Sequence, residues 1–362
     1  MKEWTIYGDI PEPLSWERLI NFKEENDETV LLGRRWICRG GSALWVGSSG
    51  LGKLVLCLQA AICWALGRTF FGIRPHGDGL KSLIIQAEND EGDVAEAVQG
   101  VIRAINLTPD EIAIVMRNVV IVRDCSSTGE KFVDRVRRLV DKHKPHLTWA
   151  DPLLAFIGGD LSSQETASTF LRNLLNPLAL SAGFAWMLIH HTPKPMRDGT
   201  SYQGHDKAYS GFGSSELTNW ARAVLTLAPA GQDEEGQDVY RLEVSKRGKR
   251  SGLEQTHKQG EIAATKPSVH PSVFIRHSDH GLAWIESGEP EKAKRGPKPA
   301  EVDWTTYKKW PARYNDLVAY FGHKLDKSEK TIERYLKAAV AEDVLAKEGD
   351  LYLLKTKESD PF

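Results

Sequence analysis

The stretch Gly47-Ser48-Ser49-Gly50-Leu51-Gly52-Lys53-Leu54 constrains this chain more than any other. Its first seven residues read G-x-x-x-x-G-K, the pattern of a loop that wraps phosphate groups. Ala43-Leu44-Trp45-Val46 before it is an apolar run that suits a strand, and Leu54 to Ala65 after it is an apolar helical stretch. Strand, glycine-rich loop and helix in that order are the context the motif requires. Glycines let backbone N–H groups turn inward onto phosphate oxygens, and the helix N-terminus adds its partial positive charge. Lys53 is placed to reach the outer phosphates of a nucleoside triphosphate. The next position is ordinarily Ser or Thr, whose hydroxyl ligates Mg²⁺. Here it is Leu54, which has no oxygen to offer. The expectation is an ATP and Mg²⁺ site built from Gly47, Ser48, Ser49, Gly50, Leu51, Gly52, Lys53 and Leu54, with one metal ligand missing and slow turnover as the consequence. The bland alternative is a glycine-rich turn without a nucleotide, and the flanking strand and helix weigh against it.

A chain of 362 residues suggests about two domains. Its 41% hydrophobic and 27% charged content is that of an ordinary globular protein, which argues against a disordered or fibrous chain. The net charge of −2 gives no overall pull toward nucleic acid, so any such surface must be local. Cys38, Cys57, Cys63 and Cys125 form no C-x-x-C pair and read as buried, reduced thiols of a cytoplasmic protein. Met1-Lys2-Glu3-Trp4 begins no apolar signal core, and no run approaches the roughly 18 apolar residues of a membrane span, so no membrane partner is expected.

Residues 1–40 read as an irregular lead-in containing Pro11 and Pro13. From 41 to 285, strands and helices alternate, which predicts an α/β domain with a mainly parallel sheet covered on both faces. Strands are expected at 43–46, 82–87, 119–122, 147–150, 186–189, 223–227 and 240–244, and helices at 54–65, 94–105, 132–140 and 167–180. Residues 286–300, rich in Glu, Lys, Gly and Pro, have almost nothing to bury and read as a linker. Residues 301–362 form a small unit: a helix at 314–321, a longer one at 328–341 opened by Ser328, then a hairpin turning near Gly349. Helix, turn, helix and hairpin suggest a winged helix.

Ligands in such sheets sit at the carboxyl ends of the strands. Glu88 ends the strand at 82–87, where a carboxylate can orient and deprotonate an attacking water. The competing reading is a solvated acidic turn, since Asp90, Glu91 and Asp93 follow. Asp151 ends the apolar strand Leu147-Thr148-Trp149-Ala150 and is the expected Mg²⁺ anchor. His190, His191 and Lys194 follow the strand at 186–189, where a side chain can sense the terminal phosphate; no cysteine or acid lies close by, so zinc is a poor reading. The loop 195–215 mixes Arg197 and Lys207 with Tyr202 and Tyr209. Cations interleaved with aromatics suit single-stranded nucleic acid, with a plain surface loop as the alternative.

The order of these motifs resembles a known family. After the phosphate loop, Glu88 and Asp151-Pro152-Leu153 come His190-His191-Thr192-Pro193-Lys194, Gly213-Ser214-Ser215, Asn219-Trp220-Ala221-Arg222 and Val244-Ser245-Lys246. Together they look like the RecA-type ATPases of the RepA replicative-helicase group, ring-forming motors of plasmids and phages, and more distantly like DnaB helicases. The resemblance covers about residues 30–285. It implies a RecA-like P-loop ATPase core that assembles as a hexameric ring on single-stranded DNA. It also implies that Glu88 is the catalytic glutamate, Asp151 the metal-binding aspartate and His191 the histidine that follows the γ-phosphate. Arg222 then corresponds to the arginine finger offered to a neighbour's nucleotide, with Lys246 as its companion. Such a finger stabilises charge on the transferring phosphoryl group. The C-terminal unit lies outside the resemblance. Its long helix carries Lys330 and Arg334, which a winged helix could place against duplex DNA; protein contact is the alternative use. The expected activity is an ATP-driven DNA helicase of a plasmid, phage or other mobile element. The rivals are a RecA-type loader that does not unwind and a nucleotide-binding regulator that does not hydrolyse, the one Leu54 favours.

Overall fold

The computed structural model describes residues 13–191, 215–253, 270–290 and 302–355. The chain divides into two compact units, 1–291 and 292–362. A nine-stranded sheet organises the first. Its strands are β3 (Ser42–Gly47), β4 (Ser82–Gln86), β5 (Val119–Arg123), β6 (Leu147–Asp151), β7 (Ala185–His191), β8 (Ala223–Gln232), β9 (Asp238–Lys246), β10 (Ser272–His277) and β11 (Trp284–Glu286). They lie in the order β11-β10-β9-β8-β3-β7-β6-β4-β5. From β5 to β8 every neighbour pair is parallel. Strands β9 to β11 extend the sheet as antiparallel neighbours. The expected α/β architecture with a mainly parallel sheet is therefore the observed one.

The parallel strands are buried on both faces, so their sequences are apolar throughout and alternation decides which face each side chain enters. Ala43, Trp45, Ile84, Trp149, Met187 and Ile189 join one core with helix α2 (Lys53–Ala65). Leu44, Val46, Leu83, Ile85, Ala150 and Leu188 join a second core with α5 (Gly129–His143) and α7 (Asn176–Ala182). The first core is built on rings: Trp45 and Trp149 meet edge-on at 5.3 Å, and Trp64 stacks on Trp149 at 6.0 Å. Helices α3 (Glu91–Ala104) and α4 (Pro109–Asn118) follow β4, each opened by a capping box, Asp90 with Asp93 and Thr108 with Glu111. The helix expected at 167–180 runs instead from α6 (Gln164–Ser168) through a π-helical segment, Thr169–Leu175, into α7.

Residues 30–38, expected as part of an irregular lead-in, are a correction. β1 (Val30–Leu32) and β2 (Ile37–Cys38) pair antiparallel, and Leu32, Trp36 and Ile37 are fully buried in the first core. Upstream, α1 (Trp16–Ile20) buries no side chain. No helix among the described residues is long and apolar enough to cross a membrane. In the second unit, β12 (Ala312–Arg313), β13 (Leu345–Glu348) and β14 (Leu351–Leu354) form an antiparallel sheet in the order β12-β14-β13. Helices α9 (Tyr314–Leu325) and α10 (Glu329–Ala341) pack on it through Leu317, Phe321, Ile332 and Leu336.

Candidate nucleotide site

The loop after β3 turns sharply onto α2. Gly52, the residue before the helix, has φ +75°, a conformation that side chains resist. Gly47 is excluded from carrying a side chain for another reason: a Cβ there would lie 2.9 Å from the Leu227 carbonyl oxygen of β8. Lys53 follows as the first residue of α2 and is buried. Its amine donates to the carbonyl oxygens of Gly47 at 2.9 Å and Ser48 at 2.7 Å. It also lies 3.0 Å from His191 Nδ1. Burial lowers the Lys53 pKa, and the Asp151 carboxylate opposes that effect.

Strand alternation explains why the polar strand ends converge here. Gln86, Asp151 and His191 each lie two residues beyond an apolar side chain of the first core, namely Ile84, Trp149 and Ile189. All three therefore share the sheet face that α2 covers. Register then places Gln86 opposite Asp151 and Gly47 opposite His191. Asp151 is buried, and burial pushes its carboxyl up to about 7; Lys53 pulls it down and Glu88 pushes it further up. Its Oδ2 accepts from Gln86 Nε2 at 3.2 Å. The same Gln86 side chain accepts at Oε1 from the backbone N–H of Glu88 at 2.6 Å and of Asn89 at 3.3 Å. Gln86 thus fixes the turn that carries Glu88 relative to Asp151. Glu88 itself is exposed. For His191, burial and then Lys53 lower the pKa, which keeps the ring neutral and able to accept the Lys53 proton donor.

Among the described residues, no trio of His, Cys, Asp and Glu is grouped to hold a metal unaided. A buried carboxyl pushed toward neutrality does fit a divalent cation whose remaining ligands are phosphates and water, the usual manner of Mg²⁺. Leu54 contributes differently: its half-buried side chain packs against the first core. The position is given over to packing, and its backbone N–H remains at the helix N-terminus.

Arg222 and Lys246 stand at the other edge of the sheet. Ala223 pairs with Ala43, and the Arg222 N–H donates to the Ser42 carbonyl at 3.0 Å. Ser42 opens β3 and Gly47 closes it, which separates Arg222 from the phosphate loop by about 16 Å of strand. Lys246 pairs with Val224 at that same edge. Its amine donates to the carbonyls of Thr218, Asn219 and Ala221 at 2.8, 3.4 and 2.6 Å. It therefore caps the C-terminal end of α8 (Glu216–Trp220), the helix that leads into Arg222. Arg222 is exposed, and Arg247 lies near it; burial, then Arg250 and Arg222, hold the Arg247 pKa below its ordinary value.

Lys194, Arg197 and Lys207 lie outside the described residues. Lys330 and Arg334 are exposed on α10 of the second unit. Sequence reading missed Gln86, and it missed Gln59 and Trp284, which brace the loop from behind. The Gln signal was available in part, because Gln86 is a polar residue directly after the apolar run Leu83-Ile84-Ile85; its place opposite Asp151 is set by strand register.

Comparison with known proteins bears on the family of the chain. A family model described as "AAA domain" (AAA_25) matches residues 11–197, which include the phosphate loop, Glu88, Asp151 and His191. Arg222 and Lys246 lie beyond the matched stretch. No curated protein matches. Among solved structures, the crystal structure of a KaiC-like protein from the hyperthermophilic archaeon Pyrococcus horikoshii OT3 aligns with 69% of this chain and 91% of its own, at 16% identity and a TM-score of 0.42. Since the family model spans half of the chain and contains its whole phosphate-binding end, the chain belongs to the AAA_25 family and is a RecA-type P-loop ATPase.

Proposed function

We propose that this protein is a ring-forming ATPase that moves on single-stranded DNA, a helicase of plasmid, phage or mobile-element replication. One observation carries the reading: Lys53, Asp151, Glu88 and His191 gather at one edge of the sheet, while Arg222 stands at the other. A cation so far from its own phosphate loop can serve a nucleotide only in another copy of the chain. Repeated head to tail, that relation makes a ring where the rotation between copies closes, and the ring is the form proposed here.

Within one site the residues divide the work. Lys53 exchanges its Gly47 and Ser48 carbonyls for phosphate oxygens. Its departure frees His191, which ends β7 and leads into the segment holding Lys194, Arg197 and Lys207. Glu88, aligned by Gln86, orients and deprotonates the attacking water. Asp151 anchors the Mg²⁺ that ATP brings, which supplies charge neutralisation at the phosphates. Arg222 of the neighbouring copy meets the transferring phosphoryl group, and Lys246 acts by fixing the helix end before it. The basic loop contacts the strand's phosphates. The second unit, with two helices and a three-stranded sheet, is a winged helix whose α10 offers Lys330 and Arg334 to duplex DNA.

ATP turnover with and without single-stranded DNA, followed by unwinding of a forked duplex, tests this reading. Stimulated turnover with strand separation supports it. Stimulated turnover without unwinding makes the protein a loader. A second reading, a nucleotide-binding regulator, rests on Leu54, whose side chain packs inward where a hydroxyl ligand ordinarily sits. Tight ATP binding with no turnover in either condition would establish it.

A further inference from the structure

On the side of the phosphate loop away from the carboxylates, three rings meet. His277, ending β10, lies on Trp284 of β11 with centroids 3.9 Å apart and 35° between their planes. Tyr240 of β9 stands edge-on to both, at 5.8 and 5.1 Å. The cluster abuts the loop itself. A Cβ added at Gly52 would come within 3.1 Å of His277 Cε1 and 3.2 Å of Trp284 Cζ2, and the Trp284 indole N–H donates to the Gly52 carbonyl at 3.4 Å. Gln59, on α2, holds the cluster from behind. Its Nε2 donates to the Trp284 carbonyl at 2.8 Å, and its Oε1 accepts from the Trp284 N–H at 2.7 Å. Trp284 and Gln59 are buried, whereas His277 is exposed. A ring is thus presented to solvent beside the loop, on a base that the loop's own helix fixes in place.

Sheet order indicates what that ring meets. The charged groups come from β7, β6 and β4, all on one side of β3; the aromatic cluster comes from β9, β10 and β11, on the other. A nucleoside triphosphate carries its terminal phosphate at one end and its base at the other. With the phosphate end among Lys53, Asp151 and Glu88, the base end is directed toward the rings. We infer that His277, backed by Trp284, is the platform on which the nucleobase of the bound nucleoside triphosphate stacks. This rests on the phosphate-loop reading given above. Loss of solvation on the side packed against Trp284 lowers the His277 pKa, with Asp238 opposing, and so favours the uncharged flat ring suited to stacking. Because Trp284 already fixes its orientation, little side-chain freedom is lost when the base arrives.

The test is a binding titration of the full chain with Mg²⁺ and two probes, ATP and inorganic tripolyphosphate, on the parent protein, H277A and H277F. Thermal melting of each variant checks that it is folded. H277A should weaken ATP binding about tenfold, as loss of one stacking partner does. Tripolyphosphate, which has no base, should bind H277A within about twofold of the parent, and H277F should keep most of the ATP affinity. Equal ATP affinity in H277A and parent overturns the platform. So does an equal loss for both probes, which would mean that His277 merely shapes the loop. If neither probe binds the parent protein, the phosphate-loop reading fails and the platform falls with it.

Discussion

Asp151 offers a stability measurement that needs neither nucleotide nor metal. Its carboxyl is buried, and its pKa is raised from an ordinary 3.8 to about 7, chiefly by loss of solvation. A group with a raised folded-state pKa holds its proton longer in the folded chain than in the unfolded one. Its contribution is therefore fully present below pH 4 and is lost as pH rises through about 7. Moving a carboxyl over that interval corresponds to about 4 kcal/mol. D151N replaces it with a neutral group of the same shape that still accepts from Gln86. In chelator, at pH 8, D151N should be more stable than the parent by about 2–4 kcal/mol, the raised value already including the opposing pull of Lys53. For a unit of this size that is roughly 4–8 °C in Tm. Near pH 4 the two proteins should melt within about 1 kcal/mol of each other. Tryptophan fluorescence reports the transition, since Trp149 is the second residue before Asp151 and lies within the ring cluster of the first core. Parallel stability curves from pH 4 to 8, or a D151N protein less stable than the parent at pH 8, would refute the assignment of a buried, proton-holding carboxyl.

Two further outcomes follow from the same site and its surroundings. L54S should raise ATP turnover, by about 10²-fold if a missing Mg²⁺ ligand limits the parent. It should also cost about 1 kcal/mol of stability, because a half-buried side chain leaves the first core; equal turnover and Mg²⁺ dependence in both proteins would make Leu54 irrelevant to catalysis. Deleting residues 296–362 should reduce duplex binding and spare single-strand-stimulated turnover, whereas R197A with K207A should do the reverse and lower the salt slope of single-strand binding by about one per lost contact. Salt titrations of both variants on both DNA forms check this, and equal losses everywhere would dissolve the division of labour.

Most strands were legible because a parallel sheet buried on both faces writes itself as short apolar runs, and the residues ending those runs at Gly47, Gln86, Asp151 and His191 mark one edge of the sheet. Alternation along each strand also decides that Gln86, Asp151 and His191 face α2. Helix α4 was readable but unread: Thr108-Pro109-Asp110-Glu111 is a capping box with proline at the first helical position. β1 and β2 escaped notice because Gly33-Arg34-Arg35 interrupts Val30-Leu31-Leu32 and Trp36-Ile37, leaving two strands too short to show a period. Other features were beyond sequence reading. Gln59 and Trp284 are 225 residues apart, and nothing local couples a helix glutamine to a late strand. Lys246 appears in sequence as one cation among several; only the three carbonyls around its amine show that it holds the chain before Arg222 in place.

If each nucleotide site is shared between two copies of the chain, mixed subunits should complement one another. E88Q disables the phosphate-loop end of a site, and R222A disables the end that reaches a neighbour. Each variant, made in the L54S background so that turnover is measurable, should be inactive alone. Rings assembled from both, verified to contain both chains, should regain part of the activity, because some interfaces then pair an intact Glu88 with an intact Arg222. Rescue that rises and falls with the mixing ratio is the predicted result. Verified mixed rings with no turnover at any ratio would contradict a finger supplied from the neighbouring copy.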